Sequence, residues 1–196
     1  MRKDIILCGV GGQGTVLASR LISDIAMARD LPVMSAETIG MAQRGGSVFS
    51  HLRIGEGVYS PMIAKGEADL ILAFEPGEAV RVLPYLKPDG QVVVSARPVM
   101  PVTSTLGGAE YSAEAMLDYL RQKVPNLIIV DAEKARQDLG SAKVLNLILL
   151  GAALSGGALG FTEEEMKTAI LNRIPEKFHD LNLRALEWAA HEGLSR

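Results

Sequence analysis

The sequence contains a single cysteine, Cys8, among its 196 residues. One cysteine excludes a disulfide framework and indicates a protein of a reducing compartment, so we expect a cytoplasmic location. It also argues against an iron–sulfur cluster held by this chain alone, because such clusters are bound by several thiolates. His179 and His191 have no metal-ligand spacing, and we expect no metal site in this chain.

An excess of one charge sign is also lacking. The chain carries 20 Lys and Arg against 23 Asp and Glu, for a formal net charge of −3, and it has no block of basic residues. This distribution argues against a nucleic-acid-binding face. The length and the 48% hydrophobic content fit one globular domain, residues 1–196, with a sizeable core.

A long unbroken apolar run is lacking too. The opening MRKDIILCGVGG breaks early into glycines, which favours a first strand over a signal peptide. The uncharged segment Val144–Thr162 is long enough to cross a bilayer, but Asn146 and the pair Gly156-Gly157 interrupt it. We therefore expect a buried helix over about residues 143–155 and no membrane span.

Strand-like and helical patterns alternate along the chain. Several strands are continuous apolar runs, typical of strands covered on both faces, whereas Ser47–Ile54 alternates and is expected to be antiparallel or at an edge. The order predicts a three-layer, Rossmann-like α/β domain with a mostly parallel sheet and an antiparallel edge excursion. The predicted strands are Asp4–Cys8, Pro32–Ala36, Ser47–Ile54, Leu70–Phe74, Gln91–Ser95 and Asn126–Asp131, and helices are predicted near 15–29, 113–124, 143–155, 163–174 and 178–192.

The first strand runs into GVGGQG, which matches the G-x-G-x-x-G pattern of dinucleotide-binding loops. In such a loop Gly9 permits the tight turn, Gly11 lets a ligand approach the backbone, and Gly14 allows close packing of helix and strand. Gly12 completes this first glycine loop, residues 9–14, and the helix that follows offers free N–H groups to an anion. Glu37, after the second strand, has the position of a ribose-binding acid. Glycines at such a turn also serve packing alone, so both interpretations stay open.

A second glycine loop, residues 40–46, lies within ETIGMAQRGGSVFSHLRI. The polar pair Gln43-Arg44 precedes Gly45-Gly46, a pattern suited to close backbone approach around one fixed cation. Arg44 can hold a carboxylate, a phosphate or an acidic side chain of a partner. The alternative is that Arg44 ties its own loop to Glu37 or Glu75.

Four segments together carry a family resemblance: GVGGQGTVLASRLI, AETIGMAQRGGSVFSHLRIG, SPMIAKGEADLILAFEPGEAVR and VLNLILLGAAL. They resemble the gamma-type subunits of 2-oxoacid:ferredoxin oxidoreductases, in particular the small beta subunits of the indolepyruvate type. The resemblance extends from Ile5 to about Ile174, and the GMAQRGGSV block is its most specific part.

The resemblance implies a subunit of an enzyme that oxidatively decarboxylates a 2-oxoacid to its acyl-CoA and passes electrons to ferredoxin. Thiamine diphosphate, Mg and the iron–sulfur clusters are then expected in a large alpha-type partner, with CoA as co-substrate, and this chain is expected to be inactive alone. The sequence agrees, because it lacks both the cysteines of a cluster and the Gly-Asp-Gly followed by Asn of a thiamine–magnesium site.

From this resemblance we expect the two glycine loops to lie near each other at the strand ends. The Met41–Gly46 stretch is expected to close the partner's thiamine pocket, with Gln43 and Arg44 contacting the substrate carboxylate or the partner's loop. On local geometry alone, the first glycine loop is expected to receive a phosphate-bearing ligand, such as part of CoA, at the helix N-terminus.

Other polar residues have simpler expected roles. Cys8 is expected to be a small core residue rather than a nucleophile. His51 is a weaker candidate than the glycine-loop residues to face a functional site. Glu75 and Glu78 are expected to cap the following helix or to pair with an arginine, either Arg44 or Arg81.

The competing hypothesis is a stand-alone NAD(P)-dependent oxidoreductase that binds pyrophosphate at Gly9–Gly14 and ribose at Glu37. Against it, the sequence shows no convincing hydride-transfer acid/base set and no separate substrate domain.

Overall fold

The computed structural model describes residues 1–39, 45–100, 111–191 and 194–195. Its elements alternate between strand and helix over most of the chain. The strands are β1 (Lys3–Val10), β2 (Val33–Ile39), β3 (Ser47–Ile54), β4 (Ala68–Ala73), β5 (Leu86–Ser95), β6 (Asn126–Val130) and β7 (Leu194–Ser195). The helices are α1 (Thr15–Ala28), α2 (Pro76–Val82), α3 (Ala113–Lys123), α4 (Ala132–Leu139), α5 (Leu145–Ser155), α6 (Glu163–Arg173) and α7 (His179–His191).

The strands form one seven-stranded sheet in the order β2-β3-β1-β4-β5-β6-β7. The pairs β1–β4, β4–β5 and β5–β6 are parallel. β3 is antiparallel to both β1 and β2, and β7 is antiparallel to β6. The expectation that Ser47–Ile54 is antiparallel is therefore confirmed, but β3 is an interior strand, and β2 is the edge.

Helices cover both faces of the sheet. One buried cluster joins the strands to α1, α5, α6 and α7, and the other joins their opposite face to α2 and α3. Strands buried on both sides need apolar residues at successive positions, which explains the runs Ile5–Cys8 and Leu70–Phe74. The predicted three-layer α/β class is confirmed.

Several helices begin at a residue whose side chain caps the N-terminus by accepting hydrogen bonds from backbone amides. Thr162 and Glu165 form a capping box at α6, and the Ser112 hydroxyl accepts from the amide of Ala115 at α3. Asp131 caps α4 by accepting from two backbone amides. No helical pattern in the sequence predicted α4.

The uncharged segment near residue 150 folds as α5, which is buried along most of its length, as expected. Gly151 makes this possible, because a Cβ there would clash with the carbonyl oxygen of Leu186 and lie 2.9 Å from the Ala189 Cβ on α7. Among the described residues, no helix combines the length and apolarity needed to cross a membrane.

A buried ion pair fixes the start of the sheet. The Arg53 guanidinium on β3 donates to both carboxylate oxygens of Asp4 on β1, at 2.7 and 3.2 Å, and both side chains are almost fully buried. Arg53 also donates to the carbonyls of Ser60 and Met62, which holds the segment after β3 against the sheet.

Candidate functional site

The two glycine loops meet at the edge of the sheet where the parallel strands end. The Gly11 amide donates to the Gly46 carbonyl at 2.8 Å, and the Gly45 amide approaches the Gly11 carbonyl at 3.4 Å. β3 begins at this edge because Ser47 is in register with Val10, the last residue of β1. Ligand sites of open α/β sheets lie outside the carboxyl ends of the strands, which makes this edge the candidate site.

Gln13 holds the first glycine loop closed from within. Its side-chain oxygen accepts from the Val10 amide at 2.7 Å, and its side-chain nitrogen donates to the Phe74 carbonyl at 2.9 Å. Gly9 is needed for this closure, because a Cβ there would lie 2.7 Å from the Gln13 side-chain oxygen and 2.8 Å from the Phe74 Cβ. The amides of Val10 and Gly11 are therefore already used inside the protein.

The N-terminus of α1 keeps its donors available. Gly14 precedes α1 in the left-handed conformation (φ 87°), no side chain in the described part of the protein caps this end, and the first turn has no acidic residue. A Cβ on Gly14 would meet the Asn146 amide nitrogen of α5 at 3.1 Å. Gly14 thus lets two helices approach, rather than the helix and strand that the motif suggested. The geometry suits an anion at the α1 amides.

Glu37 lies on the edge strand β2 and is exposed. It is in register with Ser50 of β3, which is in turn in register with Leu7 of β1. Two strand spacings, about 9–10 Å, therefore separate Glu37 from β1. In dinucleotide-binding folds the ribose-binding acid follows the strand beside β1, so this topology does not favour an adenosine between Gly9–Gly14 and Glu37.

The first turn of α2 lies beside the glycine loops and is built around Glu75. This buried carboxylate caps α2 by accepting from the Glu78 amide at 2.9 Å, as expected, and it accepts a second hydrogen bond from the Tyr111 hydroxyl. The same hydroxyl accepts from the Gly77 amide at 3.3 Å. Burial, followed by the bond to Glu75, raises the pKa of Tyr111, so its hydroxyl remains a donor.

Ser47, Glu78 and Arg81 form a bridge between β3 and α2. The Ser47 hydroxyl donates to Glu78 Oε2 at 2.7 Å and accepts from Arg81. The Arg81 guanidinium also donates to Glu78 Oε2, with its Nε at 3.0 Å. Arg81, one of the two arginines considered for the carboxylates of this segment, pairs with Glu78, and Arg44 lies outside the described residues.

Cys8 is buried on β1 near this edge, and His51 is buried in the middle of β3. Burial is the main cause that raises the pKa of the Cys8 thiol, which fits the expected core role. His51 Nδ1 accepts from the Ile63 amide at 3.1 Å, and its ring contacts Phe49 and Tyr85. Burial lowers the pKa of His51, which keeps the ring neutral, and the structure places it in a packed cluster.

Gln43 and Arg44, with Met41, lie outside the described residues. Gly45 and Gly46 are brought against Gly11, as the sequence analysis expected of the two loops. The sequence analysis did not assign Gln13, Ser47 or Tyr111 to the site, and it named Arg81 only as a partner for a carboxylate. For Gln13 and Ser47, a polar side chain next to a glycine was the available signal, whereas Arg81 and Tyr111 have no glycine neighbour in the sequence.

Two larger clefts lie away from the glycine loops. One of about 900 Å³ is at the opposite sheet edge, where Lys3, Asp69 and Asn126 line it at the starts of their strands. The other, of about 740 Å³, lies between α1 and α6. Across the described ranges, no group of three or more His, Cys, Asp or Glu side chains is arranged to hold a metal ion.

Comparison with known protein families shows which family this chain belongs to. The family description "Pyruvate ferredoxin/flavodoxin oxidoreductase" matches residues 4–192. The chain belongs to this family. The resemblance drawn from the sequence motifs is thereby confirmed.

Relatives within the family match over nearly their full length. The chain is 37% identical to indolepyruvate oxidoreductase subunit IorB of Archaeoglobus fulgidus, covering 100% of this chain and 97% of that protein. It is 38% identical to the protein of the same name from Thermococcus kodakarensis, covering 94% and 92%. The gamma subunit of a keto/oxoacid ferredoxin oxidoreductase from Geobacter sulfurreducens has the same fold, with a TM-score of 0.69, 23% identity and coverage of 97% and 95%.

Proposed function

We propose that this chain is the small subunit of an indolepyruvate-type 2-oxoacid:ferredoxin oxidoreductase. The observation that carries the proposal is the 37% identity over the whole chain to an indolepyruvate oxidoreductase subunit. The substrate would be an arylpyruvate, which is decarboxylated oxidatively and joined to CoA, with two electrons passing to ferredoxin.

The redox cofactors belong to a larger partner subunit in this proposal. Thiamine diphosphate with Mg supplies the carbanion chemistry there, and iron–sulfur clusters carry the electrons. Cys8, the one cysteine of this chain, is buried on β1 and has a raised pKa, which supports placing cluster ligands on another chain. The small subunit is then inactive alone and completes the active site in the assembled, cytoplasmic complex.

The second glycine loop would contact the partner. Met41–Gly46 packs against the partner's thiamine pocket in this proposal, and Arg44 and Gln43 reach the substrate carboxylate or the partner's loop. The support is that Gly45 and Gly46 are hydrogen-bonded to Gly11 at the edge where α/β folds place ligands. An arginine suits a carboxylate because its guanidinium donates two parallel hydrogen bonds.

The first glycine loop would receive a phosphate group, such as one of CoA. The uncapped α1 N-terminus after Gly14 supports this role, since its amides can donate to an anion. The loop itself is closed by Gln13, so the expected contacts come from the helix amides rather than from Val10 and Gly11. Calorimetry with CoA on the complex and on the free chain tests this; binding to neither would exclude it.

The decisive experiment is anaerobic affinity purification of the tagged chain from its native cells. The eluate is assayed for iron, thiamine diphosphate, and dye reduction that depends on both a 2-oxoacid and CoA. We expect a larger iron–sulfur protein to co-elute with activity on arylpyruvates. A chain that elutes alone, free of iron and binding NAD(P), would overturn the proposal in favour of a stand-alone NAD(P)-dependent oxidoreductase.

The assembled complex also allows a test of the loop residue. Arg44→Ala is expected to lower turnover strongly while leaving iron content and subunit assembly unchanged. Full turnover by the assembled Arg44→Ala complex would remove Arg44 from the proposed site.

A further inference from the structure

The described end of the second glycine loop is held by few contacts. Gly45 and Gly46 make two backbone hydrogen bonds to Gly11, at 3.4 and 2.8 Å. Gly45 has a φ of 77°, and a Cβ there would meet nothing within 4 Å, so no side chain in the described part of the protein packs against this position. The next residue, Ser47, makes the first side-chain contact of this end of the loop with another element.

That contact is the bridge of Ser47, Glu78 and Arg81, here called the Ser47 clamp. The Ser47 hydroxyl donates a hydrogen bond to Glu78 Oε2 at 2.7 Å and accepts one from the Arg81 guanidinium. The Glu78 side chain is 15% exposed and Arg81 is 51% exposed, so the clamp stands at the protein surface. It joins the start of β3 to α2 across 31 residues of sequence.

The charges of the clamp lie close to the end of β1. Burial is the largest cause of the raised pKa of Cys8, and the negative charge of Glu78 is the second. The positive charge of Arg81 lowers the same pKa. α2 itself is anchored by Glu75 and Tyr111, and it meets the first glycine loop where Gln13 donates to the Phe74 carbonyl. The clamp thus connects the second glycine loop to a helix that is already fixed to the first.

We infer that Glu78 and Arg81 are positioning residues, which through Ser47 hold Gly45 and Gly46, the described end of the second glycine loop, in the orientation that the assembled enzyme uses. The inference rests on the proposed function for its catalytic consequence, but not for its structural one. Without the clamp, Gly45 and Gly46 are held by their two backbone hydrogen bonds to Gly11 and by the pairing of Ser47 with Val10, with no described side chain to fix their orientation. Loss of alignment of a loop at an active site lowers kcat.

The structural consequence is measured on the free full-length chain by amide hydrogen exchange. Arg81→Gln is expected to raise the exchange rate of the Gly11 amide about 5- to 30-fold, because its bond to Gly46 opens more often. The fold is expected to persist, since Arg81 is half exposed. Exchange within twofold of the wild type would overturn the inference.

A charge-reversal pair separates a positioning role from a general loss of charge. Glu78→Arg combined with Arg81→Glu preserves an acceptor and a donor for the Ser47 hydroxyl, so we expect it to restore most of the slow exchange. Failure of this double variant to improve on Arg81→Gln would count against the clamp.

The matched control is Arg136→Gln on α4. Arg136 pairs with Glu133 at the same i, i+3 spacing, and its side chain is 45% exposed against 51% for Arg81. We expect this variant to leave the Gly11 exchange rate and the activity of the complex unchanged.

The catalytic consequence is measured on the purified complex. Arg81→Gln is expected to lower kcat about tenfold, with iron and thiamine content equal to the wild type. Unchanged kcat in an active complex would overturn the inference while the proposed function stands. A wild-type complex with no 2-oxoacid activity would overturn the proposed function, and the exchange measurement would still decide the structural role of the clamp.

Discussion

Substituting Gly9 by alanine tests whether the first glycine loop is built for internal contact. The new Cβ would lie 2.8 Å from the Phe74 Cβ, which belongs to a fully buried residue at the end of β4, and 2.7 Å from the Gln13 side-chain oxygen. Phe74 has little room to move, so the overpacking costs about 1–3 kcal/mol. Displacing Gln13 weakens its bonds to Val10 and Phe74, each worth about 1 kcal/mol.

The expected total is a loss of about 2–4 kcal/mol in the free energy of unfolding, or roughly 4–16 °C in Tm for a chain of this size. Urea denaturation of the free chain, followed by the fluorescence of its single tryptophan, Trp188, measures the loss. Trp188 is suitable because it is 9% exposed and donates to Asp138, so unfolding changes its surroundings.

Gly12→Ala is the matched control in the same loop. A Cβ on Gly12 meets nothing within 4 Å, but its φ of 101° is unfavourable for alanine, which costs about 1–2 kcal/mol. A smaller loss for Gly9→Ala than for Gly12→Ala would refute the reasoning, because backbone conformation would then outweigh the contact. A loss below about 0.5 kcal/mol for Gly9→Ala would show that the close approach to Phe74 is not required.

Three further predictions concern stability and reactivity. Asp4→Ala leaves the Arg53 guanidinium buried without its partner, so we expect the free energy of unfolding to fall by about 3–5 kcal/mol in urea denaturation. Glu165 has its pKa lowered to about 2, mainly by the hydrogen bond from Arg29. Its contribution is thus fully present above the ordinary carboxyl pKa and is lost as pH falls through about 2. Glu165→Gln, which we expect to cost about 1 kcal/mol at pH 7, should therefore lose most of that cost by pH 2. Cys8 is buried with a raised pKa, so iodoacetamide should label it slowly in the native chain and rapidly in urea.

Each of these predictions has a contradicting result. Asp118→Ala removes an exposed partner of Arg121 and serves as the control for Asp4→Ala; equal losses from the two would contradict the role of burial. A constant difference between Glu165→Gln and the wild type from pH 7 to 2 would show that the ionised carboxylate is not the cause. Rapid native labelling would place the Cys8 thiol within reach of solvent.

The fold class was predictable because its signal is local. Continuous apolar runs identified β1, β4, β5 and β6, and the Thr162-to-Glu165 box identified α6. α4 was not predicted from the sequence because only Ala132 and Ala135 are buried in it, so the helix has no apolar stripe that a periodicity search could detect.

The site was less predictable because its contacts are long-range. The order of β1, β2 and β3 decides whether Glu37 stands beside the first glycine loop, and strand order is not encoded in spacing along the chain. Ser47 and Arg81 are 34 residues apart in the sequence, so no local pattern predicts that their side chains are in contact. Gln13 lies within the G-x-G-x-x-G pattern, which predicts a ligand-binding loop, but its side chain is hydrogen-bonded to the protein's own backbone.

The order of the strands also bears on how the chain folds during synthesis. β1, β4, β5 and β6 are neighbours in the order in which they leave the ribosome, so this side of the sheet can grow strand by strand. β2 pairs only with β3, so it joins the sheet once β3 has been synthesised and has paired with β1. α5 differs, since Gly151 is fitted to Leu186 and Ala189 of α7, which is synthesised later than α5 and α6. We expect a nascent chain halted before His179 to present the apolar face of α5 to chaperones, and full release to end that interaction.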